Sequence, residues 1–197
     1  MRKETWLFVG VALIIGILAG ALIVNKMKKP SGEEGSSAAP GAALPTVNAQ
    51  QQISMLQGIV AKDPGNRNAW IQLGNQYFDS QQPMKAVEAY GKALAINGND
   101  PDVLTDQGVM FRQLGWYDRA VDNFVKANQI DPTHAQSLYN LGVVYLYDLK
   151  DVAKARAAWE KFLTIVPSGP GADQVRAQLE ALKAHPQPPA DMPGKLQ

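Results

Sequence analysis

A spacing of 34 residues recurs through the middle of this chain and limits its fold more than any other feature. Gly74, Gly108 and Gly142 are separated by 34 residues each. Three further sets keep that interval, with one additional residue in the last unit of two of them: Tyr77, Phe111 and Tyr145; Ala86, Ala120 and Ala155; Tyr90, Phe124 and Trp159. Self-similarity at a fixed period of this length indicates a repeat architecture, in which each unit packs on its neighbours.

Each unit contains two helical patterns separated by a turn. Small residues alternate with large ones, so two helices can cross closely while aromatic side chains fill the space beside the crossing. Pro132 and Pro167 end the second helices, because proline cannot continue a helix. One hairpin cannot bury its own apolar face, so the pattern predicts an all-α solenoid of stacked hairpins. We place the extra residue of the third unit in the turn around residues 148–154.

The repeating residues resemble those of the tetratricopeptide repeat (TPR) family from Arg67 to about Ser168. The matching residues are Trp70, Leu73, Gly74, Tyr77, Ala86, Tyr90 and Ala93 in the first unit; Leu104, Gln107, Gly108, Phe111, Ala120, Phe124, Ala127 and Pro132 in the second; and Leu138, Leu141, Gly142, Tyr145, Ala155, Trp159 and Pro167 in the third. The departures are Gly98 for proline, Gln107 for leucine and Phe162 for a small residue. The resemblance implies repeats at about 67–100, 101–134 and 135–169.

Amphipathic segments flank the three repeats. The first, residues 47–62, has apolar side chains at Ile53, Leu56, Ile59 and Val60. The second, residues 171–184, carries Val175, Leu179 and Leu182 on one helical stripe. We predict that both are helices capping the solenoid, which gives a TPR domain over residues 47–184.

The N-terminal residues 1–29 are typical of a membrane anchor with basic flanks. Residues 6–24 form an uncharged run of 19 residues, and about 20 apolar residues span a bilayer as a helix. Arg2 and Lys3 precede the run and lysines follow it. The alternative is a signal peptide cleaved at residues 19–21. The run continues to Val24, beyond the length of a signal-peptide core, which favours a single uncleaved transmembrane helix.

Positive charges near the two ends of this helix almost balance, so the positive-inside rule gives only a weak orientation. We predict a single-pass protein of the inner (cytoplasmic) membrane with its TPR domain in the periplasm; the opposite arrangement places the domain in the cytoplasm. Gly16 and Gly20 form a small-residue motif that is a candidate homodimer seam. Residues 30–46, rich in Pro, Gly, Ser and Ala, predict a flexible stalk. The proline-rich residues 185–197 predict a disordered tail.

The composition offers little for catalysis, metal binding or nucleic acid. Nineteen basic and 18 acidic residues give a net charge of +1. This charge lacks the basic excess that is typical of proteins that bind nucleic acid. Cysteine is absent, and His134 and His185 are the two histidines. We interpret His134 as a turn residue. The sequence also has a cluster of acidic residues near a helix start, at Asp100, Asp102 and Asp106. Negative charges there interact favourably with the helix dipole, so we prefer this explanation to a metal site. We therefore expect no enzyme activity, no cofactor and no metal.

The remaining functional feature is a surface. In the TPR family the first helix of each pair lines a concave groove, so the resemblance implies a groove that binds a peptide. Its predicted peptide-binding residues are Ile71, Asn75, Phe78, Asp79, Thr105, Asp106, Val109, Arg112, Tyr139, Asn140, Val143, Leu146 and Tyr147. Relatives that clamp chaperone C-terminal carboxylates use basic groove residues. The corresponding positions here hold Ile71, Asp106, Gln136 and Asn140, with only Asn75 kept, so we predict that clamp activity is absent.

Two functions fit this layout. The first is a membrane-tethered scaffold that binds a protein or peptide client in the groove. Its anchor, stalk and repeats are similar to the accessory TPR subunits of cytochrome c maturation, which implies a periplasmic assembly factor. The alternative is a structural subunit of a larger envelope complex, such as pilus, secretion or division machinery, that uses the convex surface.

Overall fold

The computed structural model describes residues 48–184, and within them the fold is all-α, with eight α-helices and no strand. The helices are α1 (Ala49–Lys62), α2 (Arg67–Asp79), α3 (Pro83–Ile96), α4 (Pro101–Gln113), α5 (Tyr117–Ile130), α6 (Ala135–Val143), α7 (Val152–Ile165) and α8 (Pro170–Ala184). A π-helical turn, Val144–Asp148, extends α6. The predicted solenoid of helical hairpins is confirmed.

Some of the predictions concern residues outside this described range. They are the membrane helix at 6–24, the seam at Gly16 and Gly20, the stalk at 30–46 and the tail at 185–197. Among residues 48–184, no helix is long and apolar enough to cross a bilayer.

The repeat extends through every described helix, with intervals of 34 residues that lengthen to 35 at the additional residue of the third unit. The first helices of the hairpins, which we call the A helices, are α2, α4, α6 and α8, and they begin at residues 67, 101, 135 and 170. The second helices, the B helices, are α1, α3, α5 and α7, and they begin at residues 49, 83, 117 and 152. Helix α1 is therefore a B helix without a preceding A helix in the described residues, and α8 is an A helix without a following B helix there.

The A helices α2, α4 and α6 begin at N-caps that share the same spacing. The side chains of Asn66, Asp100 and His134 each accept a hydrogen bond from the backbone amide three residues later. Such caps satisfy amides that have no partner within the helix. His134 thus has a structural role at its turn: its Nδ1 accepts from the Ser137 amide at 3.3 Å, while its Nε2 lies 3.0 Å from Asp102 Oδ1.

The hairpins close where a glycine of the A helix meets an aromatic residue of the B helix. A Cβ atom on Gly74 would lie 2.5 Å from the ring of Tyr90, and one on Gly108 would lie 2.5 Å from the ring of Phe124. At Gly142 a Cβ would overlap the indole of Trp159. The aromatic rings are buried and cannot move aside. The buried apolar residues form two clusters that both include side chains of the middle repeat, and Val87 and Val109 contact both clusters.

The additional residue of the third unit lies at the N-terminal end of the turn predicted around residues 148–154. A left-handed residue closes each hairpin, at Gln81, Gly115 and Lys150, with intervals of 34 and 35 residues. The insertion therefore precedes Lys150, and the π-helical turn absorbs it. A π-helix closes i to i−5 hydrogen bonds, as in Leu149 N to Val144 O at 2.9 Å, and so accommodates one more residue than an α-helix.

Candidate functional site

Side chains from successive A helices meet across one face of the solenoid, which we call the A-helix groove. Two of its predicted residues, Asn75 and Asp79, are exposed. Most of the others are half-buried, with one side packed on the core and one side open: Ile71, Phe78, Asp106, Val109, Arg112, Tyr139, Asn140, Val143 and Tyr147. The groove thus offers apolar, aromatic and amide groups that are already held in place by packing.

Two predicted groove residues lie inside the protein. Thr105 is 1% exposed and Leu146 is 0% exposed. Leu146 sits in the π-helical turn, and it belongs to the core shared with Trp159 and Phe162. A side chain with no accessible surface cannot contact a ligand in this conformation, so these two residues support the groove from behind.

The N-terminal half of the groove contains an acidic cleft of about 240 Å³. Its lining residues are Asn75, Phe78, Asp79, Tyr90 and Asp106, from α2, α3 and α4. The hydroxyl of Tyr90 donates to Asn75 Oδ1 at 2.8 Å, which orients the amide at the cleft. The aromatic face of Phe78 and the two carboxylates therefore surround one space.

Burial and the neighbouring carboxylates of this cleft disfavour the negatively charged form of Asp106. Burial, followed by the charges of Asp102 and Asp100, raises the pKa of Asp106 to about 6, and Asp79 adds to the effect. His134 acts in the opposite direction but does not cancel it. Burial and the nearby carboxylates also raise the pKa of Tyr90. The cleft is thus suited to a cationic group, which would relieve the repulsion.

The cation predicted for the groove, Arg112, is already paired. Its Nε lies 2.5 Å from Asp148 Oδ2, and its second nitrogen lies 3.4 Å from Oδ1. Asp148 comes from the π-helical turn, so the insertion in the third unit delivers the partner. Since Arg112 is neutralised locally, it offers little to a client carboxylate.

The C-terminal half of the groove is built from two tyrosines and the capping helix. Tyr147 donates to Gln178 Oε1 at 2.7 Å, and Gln174 Nε2 donates to the Tyr139 hydroxyl at 3.2 Å. Burial raises the pKa of Tyr147, with a smaller contribution from Tyr139. Tyr147 therefore remains a neutral hydrogen-bonding and stacking group at neutral pH.

Four groove residues were not predicted from the sequence: Tyr90, Asp148, Gln174 and Gln178. A signal was present for Gln174, which corresponds to the groove residue Tyr139 in the repeat register, 35 residues earlier. The apolar stripe of α8 predicts only a capping helix, so the sequence pattern gives its two glutamines no role in the groove. The sequence pattern predicts Tyr90 as a core residue, and its ring is indeed buried, but its hydroxyl reaches the cleft.

Comparison with known proteins agrees with this geometry. Residues 108–147 match the family model described as TPR repeat, and residues 136–168 match the one described as tetratricopeptide repeat. The small glutamine-rich tetratricopeptide repeat-containing protein 2 of Mycosarcoma maydis is 32% identical over 95 residues. That match covers 48% of this chain, which spans only 27% of the relative's length.

Solved structures show the same architecture. The crystal structure of MamA aligns with a TM-score of 0.64 at 24% identity, covering 69% of this chain and 79% of that one. YrrB, whose structure is described as a TPR protein with an unusual peptide-binding site, aligns with a TM-score of 0.61 at 25% identity and covers 66% of each chain. Family matches and structural neighbours together support the assignment of tetratricopeptide repeats. The fold is that of a protein–protein interaction scaffold.

Proposed function

We propose that this chain is a membrane-tethered scaffold that holds a client polypeptide in the A-helix groove. The observation that carries the proposal is the set of half-buried aromatic and amide side chains on successive A helices. Phe78, Tyr139 and Tyr147 present partly open rings whose positions are fixed by packing and hydrogen bonds. Rigid aromatic groups of this kind contribute much of the affinity at protein interfaces.

The charges of the groove define the client more closely. Asp79 and Asp106 face the N-terminal cleft, while Arg112 is occupied by Asp148. We therefore propose a client segment with apolar or aromatic residues for the tyrosine end and a lysine or arginine for the acidic cleft. This is the opposite polarity to a clamp for C-terminal carboxylates, in line with the sequence prediction that such clamp activity is absent.

We extend this proposal to the location and the client of the scaffold. The chain would be tethered to the membrane, its TPR domain would face the periplasm, and it would act in cytochrome c assembly. The support for this extension is the uncharged run at residues 6–24 and the order of anchor, stalk and repeats. Protease treatment of spheroplasts tests the orientation. We expect the TPR domain to be digested without lysis; protection until lysis would place it in the cytoplasm.

A binding experiment separates the scaffold proposal from the cytochrome version. A fluorescent peptide with a Cys-Xaa-Xaa-Cys-His haem motif and an adjacent lysine is titrated with the full-length chain, and we expect a Kd at or below about 100 µM. Its matched controls replace the cysteines and histidine with alanine, or the lysine with glutamate. Loss of the haem motif should weaken binding if the client is an apocytochrome. Equal binding of the haem-motif peptide and its alanine control rejects the cytochrome version and leaves the scaffold proposal standing.

Groove variants test the scaffold itself. Phe78→Ala and Tyr147→Ala should each weaken peptide binding by about tenfold, because each removes an aromatic anchor. Ile130→Ala is the control, since this exposed side chain lies at the end of the B helix α5. If peptides bind but neither groove variant weakens them, the client uses another surface, as the alternative of a structural subunit requires.

A further inference from the structure

Part of the apolar surface of α1 is exposed at the positions where the other B helices pack on their own A helices. Four positions define this face, which we call the α1 end face: Gln52, Met55, Leu56 and Ile59. Met55 is 58% exposed and Ile59 is 38% exposed, whereas Leu56 is 9% exposed and already packs in the core. Thirty-four residues later, the corresponding residues of α3 are Ala86, Ala89, Tyr90 and Ala93, and all four are buried.

The three complete hairpins among the described residues show which element covers the equivalent positions of the other B helices. Tyr90 packs on Gly74 of α2 and bonds to Asn75, and Phe124 packs on Gly108 of α4. Trp159 packs on Gly142 of α6, and its Nε1 donates to the carbonyl of Tyr139 at 3.1 Å. In each hairpin the covering element is therefore an A helix of the same unit.

A cleft of about 350 Å³ lies at the place where the corresponding A helix would begin to pack on α1. The four residues of the α1 end face form one wall, and Gln72, Asn75 and Gln76 of α2 form the other. Gln76 corresponds to Met110 and Val144, which are buried where successive A helices meet. An apolar wall beside a wall of amides matches the apolar centre and polar rim of a protein interface.

The sequence of this chain is a poor source for the missing helix. The segment in register with α2 is residues 33–45, and it contains Pro40, Pro45, Gly35 and Gly41. This composition predicts a flexible stalk and does not predict an amphipathic helix. A second copy is also a poor match, because α8 carries arginine, at residue 176, where the A helices have leucine or glutamine. The exposed acidic residues of α8, at positions 173 and 180, would meet the apolar side chains of α1.

We propose that the α1 end face binds an amphipathic helix of another protein in the position of an A helix. The helix would place apolar side chains spaced three and four residues apart on Met55, Leu56 and Ile59, and polar groups on the glutamines of α2. Leu56 is smaller than the tyrosine, phenylalanine or tryptophan at its counterparts. The incoming helix therefore needs no glycine at the crossing. This site lies beyond the groove proposal and does not depend on it.

A peptide copied from α2 provides a direct probe. The peptide spans Arg67–Asp79 with Gly74→Ala, since α2 covers the equivalent face of α3. Because the chain has no cysteine, Met55→Cys can carry an environment-sensitive fluorophore in the otherwise unmodified full-length protein. We expect a saturable blue shift with a Kd of about 100 µM or below, and none with a scrambled peptide.

Matched variants assign the binding to the face. With a fluorescent form of the same peptide, Met55→Glu/Ile59→Glu should weaken binding by about tenfold, and the milder Met55→Ala/Ile59→Ala should weaken it less. Phe78→Ala should leave it unchanged. Circular dichroism establishes that each variant is folded. No saturation up to about 1 mM, or equal binding by the Glu variant, overturns the proposal.

Alkylation of the unlabelled Met55→Cys variant, without peptide, distinguishes other occupants. If the face is uncovered, the cysteine of Met55→Cys should be alkylated at a rate within about twofold of that for the cysteine of Glu180→Cys on α8, since both positions are exposed. Protection that grows with protein concentration would assign the face to a second copy. Protection independent of concentration would assign it to the chain's own N-terminal segment. Either result rejects a partner helix.

Discussion

A Cβ atom on Gly108 would lie 2.5 Å from the ring of Phe124, inside its van der Waals surface. Phe124 is fully buried between α4 and α5, so its ring has no space into which it can move. The repeat register therefore depends on this glycine for a steric reason.

Gly108→Ala should destabilise the domain by about 1–3 kcal/mol, because the added methyl group overpacks the helix crossing. The matched control is Gly58→Ala on α1, where a Cβ meets nothing within 4 Å. That change should stabilise by about 0.5–1 kcal/mol through the greater helix propensity of alanine. Urea unfolding followed by circular dichroism measures both. Equal shifts in the two variants would contradict the packing described here.

Gln107 occupies a position where the other units have leucine, and Asn123 is its partner. Asn123 Nδ2 donates to Gln107 Oε1 at 2.9 Å, and Gln107 Nε2 donates to the Val87 carbonyl at 2.9 Å. Gln107→Leu should cost about 1 kcal/mol, because the half-buried amide of Asn123 and the carbonyl of Val87 each lose a hydrogen-bond partner. Adding Asn123→Ala, the residue of the other two units, should recover that loss. A double-mutant cycle measures the coupling, and strictly additive effects would show that the two amides do not interact.

Arg112 and Asp148 join the second and third units across the groove. The Asp148 side chain is only 14% exposed, so its carboxylate depends on this partner. Arg112→Met should destabilise the domain by about 1–3 kcal/mol by leaving a largely buried charge unpaired. The reversed pair, Arg112→Asp with Asp148→Arg, should regain part of the loss. Thermal unfolding of the three variants decides this; a reversed pair no better than Arg112→Met would argue against a specific ion pair.

Asp106 should make stability depend on pH with a definite sign. Its pKa rises from an ordinary 3.8 to about 6 on folding, mainly through burial and then through Asp102 and Asp100. The folded state thus favours the protonated acid, and the stability present below about pH 4 is lost as pH rises through about 6. Asp106→Asn should therefore stabilise by about 1–2 kcal/mol at about pH 7.5 and by much less at about pH 4.

The matched control for this titration is Asp122→Asn, which changes an exposed carboxylate on α5. It should not reproduce the pH-dependent gain. The readout is the free energy of unfolding at each pH, obtained from urea titrations. A gain from Asp106→Asn that is the same at both pH values would mean that Asp106 is not the titrating group.

The sequence alone determined the repeat and with it the hairpins. Gly74, Gly108 and Gly142 stand opposite aromatic residues at one interval, and only a close helix crossing requires that pairing. Local chemistry also placed the second-helix stops at Pro132 and Pro167. These features depend on neighbouring residues and on periodicity, which a single sequence contains in full.

The tertiary structure decided which groove residues are accessible and what they pair with. Thr105 and Leu146 share the spacing of groove residues but are buried, and the sequence could not show that a π-helical turn would rotate Leu146 inwards and bring Asp148 to Arg112. Likewise, α1 has an ordinary amphipathic pattern. That one of its apolar faces has no covering helix among the described residues follows only from the position of its neighbours, because burial is a property of packed elements and not of a segment.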